Sequence, residues 1–314
     1  MGVSGLADFR DEVGHSGPVC VRGGGTRWEL GGPPAGGSRE VRAPTGVVAF
    51  DPAEMTVVVG AGTPLADLAG ALAEHRQEVA LEGPPGATVG GVLAVGRSSL
   101  RRPRIGAVRD ALLQADCVGA DGALFTAGGP TVKNVTGYDL CRLLVGSLGT
   151  LALIGQVILR TWPSPERVLW MQGSATPEAV RDMCFRPSSA LWDGQRVSVC
   201  LEGYDGDVEA EAAALGSHLG LEVAAAAPAL PPHRSRWTGR LPEGCILEVG
   251  TGVVHGPVEV EAGIPGPGVV TLAARIRTGQ RTRASPSLRS SAWVDSSAWL
   301  TQFQLGGPSA ISRL

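Results

Sequence analysis

Three glycine-bearing words in the first half of the chain carry the residue types needed to hold a flat, anionic ligand. The first, Arg22-Gly23-Gly24-Gly25-Thr26, follows a short strand at Val19-Cys20-Val21. Consecutive glycines let neighbouring backbone amides turn toward one point with no Cβ in the way, making a nest for phosphate oxygens, and Thr26 adds a hydroxyl donor. By themselves these five residues read equally well as a flexible glycine turn. The second word, Gly86-Ala87-Thr88-Val89-Gly90-Gly91, offers small residues over which a ring can lie. Arg97, Arg101, Arg102, Arg104 and Arg109 follow, charges that would favour an electron-rich ring or else form a solvated face. The third word, Val132-Lys133-Asn134-Val135-Thr136-Gly137-Tyr138-Asp139-Leu140, leads into a helix. Lys133 is the single Lys among 27 basic residues, the one place where a compact ammonium replaces a planar guanidinium.

A nucleotide-binding alternative is weaker. Val57-Val58-Val59-Gly60-Ala61-Gly62 precedes a helix as a dinucleotide fingerprint would, but the third glycine is missing at Leu65, and Pro64 sits in the turn that should present amides. Acid–base chemistry has few candidates. Of five histidines (His15, His75, His218, His233, His255), none forms a closely spaced pair, and His255 at a strand end is the one worth testing, with a hydrogen-bonded structural histidine as the plainer reading. Six scattered cysteines, without a C-x-x-C pair, read as reduced thiols and argue against an iron–sulfur cluster or a zinc site held by this chain.

The elements that must position these words follow from periodicity and turn chemistry. Strands at Val47 to Phe50 and Thr56 to Gly60 flank the turn Asp51-Pro52-Ala53-Glu54. Thr63 caps a predicted helix with Pro64 at its first position and Leu65, Leu68, Ala69 and Leu72 on one face, ending near His75. Glu82 to Arg109 has no clear period and reads as a long loop. Two strands within 111–127 join at Asp121-Gly122, Asp139 caps a helix through Gly146, and Leu151 to Trp162 is a strand closed by Trp162-Pro163-Ser164-Pro165, the expected domain boundary. Beyond it come a strand near Val168 to Met171, a helix near Pro177 to Cys184, a strand at Val197 to Leu201, a helix at Val208 to Leu219, an Ala/Pro link at Ala224 to Pro232, and a single final strand from Cys245 to Val254.

In order and wording, the first half resembles the FAD-binding domain of the vanillyl-alcohol oxidase and p-cresol methylhydroxylase family, and more narrowly the FAD-binding E subunits of bacterial glycolate oxidases. The words that carry the resemblance are RGGGT at 22–26, ATVGGVLAVG at 87–96, RRPRIGAVRDALL at 101–113, VKNVTGYDL at 132–140 and GSLGTLALI at 146–154. LWDGQRVSV at 191–199 and EVGTGVVH at 248–255 extend it more loosely. The resemblance implies an α+β protein: a two-part FAD-binding domain over 1–165, a smaller α/β cap-like domain over 166–277, and an atypical tail over 278–314. It implies that Arg22, Gly23, Gly24, Gly25 and Thr26 bind the pyrophosphate and that Ala87, Thr88, Gly90 and Gly91 line the flavin. Arg102, Gly106, Arg109 and Asp110 would border that site, Lys133, Asn134, Gly137 and Tyr138 would close it, and the backbone near Ile154 would approach the adenine. It further implies partners, a larger FAD-containing 2-hydroxy-acid oxidase subunit and an iron–sulfur subunit, with glycolate-type acids as substrates.

Departures from the pattern are Ser98-Ser99-Leu100 in place of a Gly-containing turn, and Gln114 in place of a common Gly. Residues 22–32 contain no His of the kind that covalent family members use, so the expected FAD is non-covalent. A free-standing FAD-dependent alcohol or sugar oxidase and a structural subunit without flavin stay open at this point. The net charge of −3 gives no reason to expect nucleic acid as a partner. No run approaches the roughly 18 apolar residues of a membrane span, and Asp8, Arg10, Asp11 and Glu12 stand where a secretory signal would be apolar, so the expected location is cytoplasmic, with any membrane contact made through partners. Thr278 to Leu314 holds eight Ser and one acidic residue with no sustained period, a composition expected to be poorly ordered.

Overall fold

A computed structural model describes residues 4–130, 139–237 and 239–258. Lys133, Asn134, Gly137, Tyr138 and the 278–314 tail lie outside the described residues. The helix Ser4–Val13 opens the chain and buries Phe9 and Val13 against the first core. Strand Val19–Val21 pairs in parallel with Arg39–Val41, and its last residue delivers the chain to the first glycine word.

Five strands form an antiparallel sheet in the order Val47–Asp51, Thr56–Gly60, Leu153–Pro163, Leu112–Val118 and Leu124–Gly128, with Gln77–Val79 pairing the far end of the long central strand. That strand runs for 11 residues and alternates so that Val157, Leu159 and Thr161 face inward. The first hairpin has its expected turn: Asp51 Oδ1 accepts from the amides of Ala53 and Glu54, and Met55 takes a left-handed φ of 52° to bring the chain back. Helix Leu65–Ala73 presses Leu68 and Leu72 fully into the core, while Ala69 stays exposed. Each such leucine contributes about 1.5–3 kcal/mol of burial.

Two expectations fail locally. Thr63 is not the cap of that helix, because its buried hydroxyl donates to the Gly60 carbonyl at 2.7 Å and accepts from the Gly46 amide at 2.8 Å, which ties down the turn before the helix. Residues 82–109 are not one long loop, since short helices form at Val89–Val95, Arg102–Ile105 and Val108–Ala111. Their turns are too few for an apolar period to show, and each is held by neighbours rather than by its own propensity.

The second sheet is antiparallel, with seven strands in the order Glu222–Ala224, Arg167–Gly173, Val197–Gly203, Ser189–Trp192, Ile246–Glu248, Val253–Gly256 and His233–Arg236. Helices Pro177–Met183 and Asp205–Leu219 cover it, burying Val180, Val208 and Leu215 over Met171, Val197, Val199 and Leu201. The expected single strand from Cys245 to Val254 is instead a tight hairpin. Gly250 and Gly252 take left-handed φ values of 82° and 66°, and the strands on either side pair Ile246 with His255 and Glu248 with Val253. Arg101 bridges the two sheets: its guanidinium reaches Glu78 from the first at 3.1 Å and the nearly buried Glu202 from the second at 2.8 Å.

Candidate functional site

A cleft of about 600 Å³ opens beside the first sheet, lined by the glycine word, the 87–91 segment and the stretch around Ile154. Its floor depends on missing side chains. A Cβ on Gly24 would overlap the Gly86 carbonyl, and one on Gly23 would strike the Thr88 hydroxyl, so the two glycine words lie against each other. A Cβ on Gly90 would come within 2.9 Å of the Ala61 Cβ, where the Gly90 amide donates to the Ala61 carbonyl at 2.7 Å. Thr88 caps helix Val89–Val95 by accepting from the Gly91 amide at 3.3 Å. Among the described residues no backbone carbonyl accepts from the amides of Gly23, Gly24 or Gly25, which leaves three adjacent donors beside the cleft. Arg22 acts as a brace: it pairs with Glu40 at 2.9 Å and its guanidinium lies 5.0 Å over the Trp28 ring.

Ten of the expected residues therefore share one surface: Arg22, Gly23, Gly24, Gly25, Thr26, Ala87, Thr88, Gly90, Gly91 and Ile154. Arg102, Gly106, Arg109 and Asp110 do not line it. Arg109 and Asp110 are exposed, and Asp110 accepts from the Ala107 amide at 3.1 Å while Arg142 reaches it at 3.4 Å, linking the 107–110 turn to helix Leu140–Leu144. The cleft is also lined by Arg27 and Trp28, which motif reading passed over, and by Thr150, which lies in the word at 146–154 but was not named as a site residue; Arg27 directly continues the first word and was legible by position alone.

A second cavity of about 260 Å³ shares Arg27 with the cleft; its wall includes Glu82, Arg97, Arg234, Glu248, His255, Leu230 and the 98–100 segment. His255 Nε2 lies 2.8 Å from Glu248 Oε1, and Arg234 grips the same carboxylate at 2.9 and 3.1 Å. Burial pushes the Glu248 carboxyl up, but the hydrogen bond from His255 and the Arg234 charge outweigh it and hold the group below its ordinary range. Glu82 goes the other way, raised chiefly by burial.

The cleft is of a size, shape and donor content that suit a dinucleotide pyrophosphate with a flat ring: three adjacent amides without an acceptor among the described residues, a floor of small residues and no room for a side chain at Gly23, Gly24 or Gly90. Residues 12–128 match the FAD binding domain family, and this segment is an FAD-binding domain of that type. The chain is similar to the glycolate oxidase subunit GlcE of Escherichia coli, 31% identical over 70% of this chain and 65% of that protein. It is also similar to a D-lactate dehydrogenase of Archaeoglobus fulgidus, 35% identical over 51% of this chain and 36% of that one. It thus spans less than two thirds of either relative's length. Among solved structures, an alkyldihydroxyacetonephosphate synthase shares the fold with a TM-score of 0.55 over 69% of this chain and 48% of that one, at 16% identity. The fold is therefore the mixed α/β one of FAD-binding enzymes.

Proposed function

We propose that the chain is the FAD-binding subunit of a multi-subunit 2-hydroxy-acid oxidase or dehydrogenase of the glycolate oxidase type. The observation that carries this reading is the likeness to a glycolate oxidase subunit along 70% of the chain. Gly23, Gly24 and Gly25 would donate amides to the pyrophosphate, Thr26 a hydroxyl, and Ala87, Thr88, Gly90 and Gly91 would leave space for the flavin. Lys133, Asn134, Gly137 and Tyr138, with Arg102, Gly106, Arg109 and Asp110, remain proposed contributors by resemblance. FAD would be held non-covalently and would supply a two-electron acceptor when bound. Partners would be a larger FAD-containing subunit and an iron–sulfur subunit, with the assembly in the cytoplasm or at a membrane reached through them. Among the described residues no helix is long and apolar enough to cross a membrane.

The D-lactate dehydrogenase relative favours a second reading, a free-standing FAD-dependent oxidoreductase. Purified full-length chain is expected to be yellow, to release FAD on acid precipitation, and to oxidise glycolate only when co-expressed with partner subunits. Colourless protein overturns the flavin reading; flavin left in the pellet overturns non-covalent binding; rapid anaerobic bleaching of the lone chain by glycolate transfers the assignment to the second reading.

A further inference from the structure

The second cavity has a charge pattern unlike that of the glycine-lined cleft beside it. Three guanidiniums face two carboxylates there, so its wall is one positive charge in excess with both carboxylates ionised and His255 neutral. Glu248 is already engaged, since Arg234, His255 and Thr251 Oγ1, at 3.2 Å, all contact it. The remaining Arg234 nitrogen donates to the Ser98 carbonyl at 3.0 Å. Arg27 and Arg97 are left. Arg27 Nη1 is buried and has no hydrogen-bond partner among the described residues. Among the described residues no carboxylate bonds Arg97, and Glu248 acts on it through space. Although Arg97 is an exposed residue in overall area, lost hydration and the charges of Arg234 and Arg27 lower it to about 10. Like charges held together beside a buried, unpaired donor destabilise the fold unless an anion completes them.

The sheet explains how these groups meet. Arg234 pairs directly with His255 across adjacent strands, and Ile246, opposite His255, lies two residues from Glu248, so Arg234, His255 and Glu248 share one face of three neighbouring strands. At less than half the volume of the cleft, the cavity excludes a dinucleotide. Its single excess charge matches a monoanion, and its two carboxylates would repel a phosphate dianion.

We propose that this cavity is a binding site, within this chain, for a small monocarboxylic acid seated on the guanidiniums of Arg27 and Arg97, with Arg234 and Glu248 holding His255 in its wall. This deepens the flavoprotein reading and rests on it for taking the acid as substrate, while the anion site itself stands on these side chains. A planar carboxylate suits the guanidinium fork, and the shared Arg27 sets the acid beside the cleft.

Titration calorimetry of the full chain, with flavin content read by absorbance on the same samples, tests it. Glycolate is expected to bind, and its uncharged isostere glycolamide and inorganic phosphate to bind far more weakly. Arg97→Gln is expected to weaken glycolate about tenfold or more and Arg97→Glu to abolish it, both at wild-type flavin content. Absence of glycolate binding, equal binding of glycolamide, equal Arg97-dependent binding of phosphate, or wild-type affinity in either variant overturns the site. Flavin-loaded protein that ignores glycolate sinks this inference alone, whereas flavin-free protein with Arg97-dependent glycolate binding supports it and sinks the flavoprotein reading.

Discussion

The floor of the cleft around Arg22 to Thr26 is backbone and residues with almost no side chain, whereas the neighbouring cavity is walled largely by long charged side chains from segments far apart in sequence. In the cleft, specificity comes from atoms that are missing: Gly23, Gly24 and Gly90 let one segment lie on another. In the cavity it comes from charges that must be mutually satisfied: Glu248 is 4% exposed and Arg234 14%, so neither has much water to fall back on. The first kind of site is damaged by adding a methyl group, the second by taking a charge away.

The largest expected effect is therefore in the cavity. Glu248→Ala leaves Arg234 and His255 facing each other unpaired and is expected to cost about 3 kcal/mol or more of stability in denaturant unfolding; a loss under 1 kcal/mol would mean that the pair behaves as a surface one. Gly24→Ala in the cleft drives a Cβ into the Gly86 carbonyl, with an expected cost of about 2 kcal/mol and loss of most bound FAD. Full flavin occupancy in that variant would break the contrast between the two sites.

A third expectation concerns pH. Because the Glu82 carboxyl is raised in the fold, mainly by burial, its protonated form is the stabilised one: that contribution is complete below the unfolded Glu value near ~4.3 and is lost as pH rises through the folded value. Glu82→Gln should thus raise the melting temperature at pH 8 and leave it unchanged at pH 4, and an equal gain at both would show a cause other than ionisation. The smallest effects separate the regions most cleanly. Thr88→Ala and Thr176→Ala each remove a helix cap, with an expected cost of about 1 kcal/mol, yet only Thr88 lines the cleft. Flavin retention should fall in the first variant alone.

The same contrast decides what could be read from the sequence. Glycine words announce themselves, because a backbone that must approach another backbone permits only one residue type, and ten expected residues do gather on the cleft. The hairpin over 47–60 and the buried leucines of helix Leu65–Ala73 were equally legible from period and turn chemistry. The Arg234–His255–Glu248 cluster was not. Reading 245–254 as one strand sets Glu248 and His255 seven residues apart, on opposite faces of an extended chain, and the strand His233–Arg236 lay unnoticed behind an Ala/Pro run. Only the reversal at Gly250 and Gly252 turns that separation into a 2.8 Å contact. Thr63 failed for a related reason: a threonine before a helix can serve the helix or the preceding turn, and the Gly46 and Gly60 partners that decide it are set by tertiary packing.

The strand Leu153–Pro163 has an implication for synthesis on the ribosome. Thr56–Gly60, Leu112–Val118 and Gln77–Val79 all pair with it, and no pairing joins these three to one another. The segment 12–128 that matches the FAD-binding family thus emerges as hairpins with open edges, waiting for a partner strand made later. Closing the sheet means bringing residues about a hundred positions apart together, which slows folding relative to local hairpin formation and leaves the nascent half-sheet exposed to chaperones until Pro163 has cleared the exit tunnel.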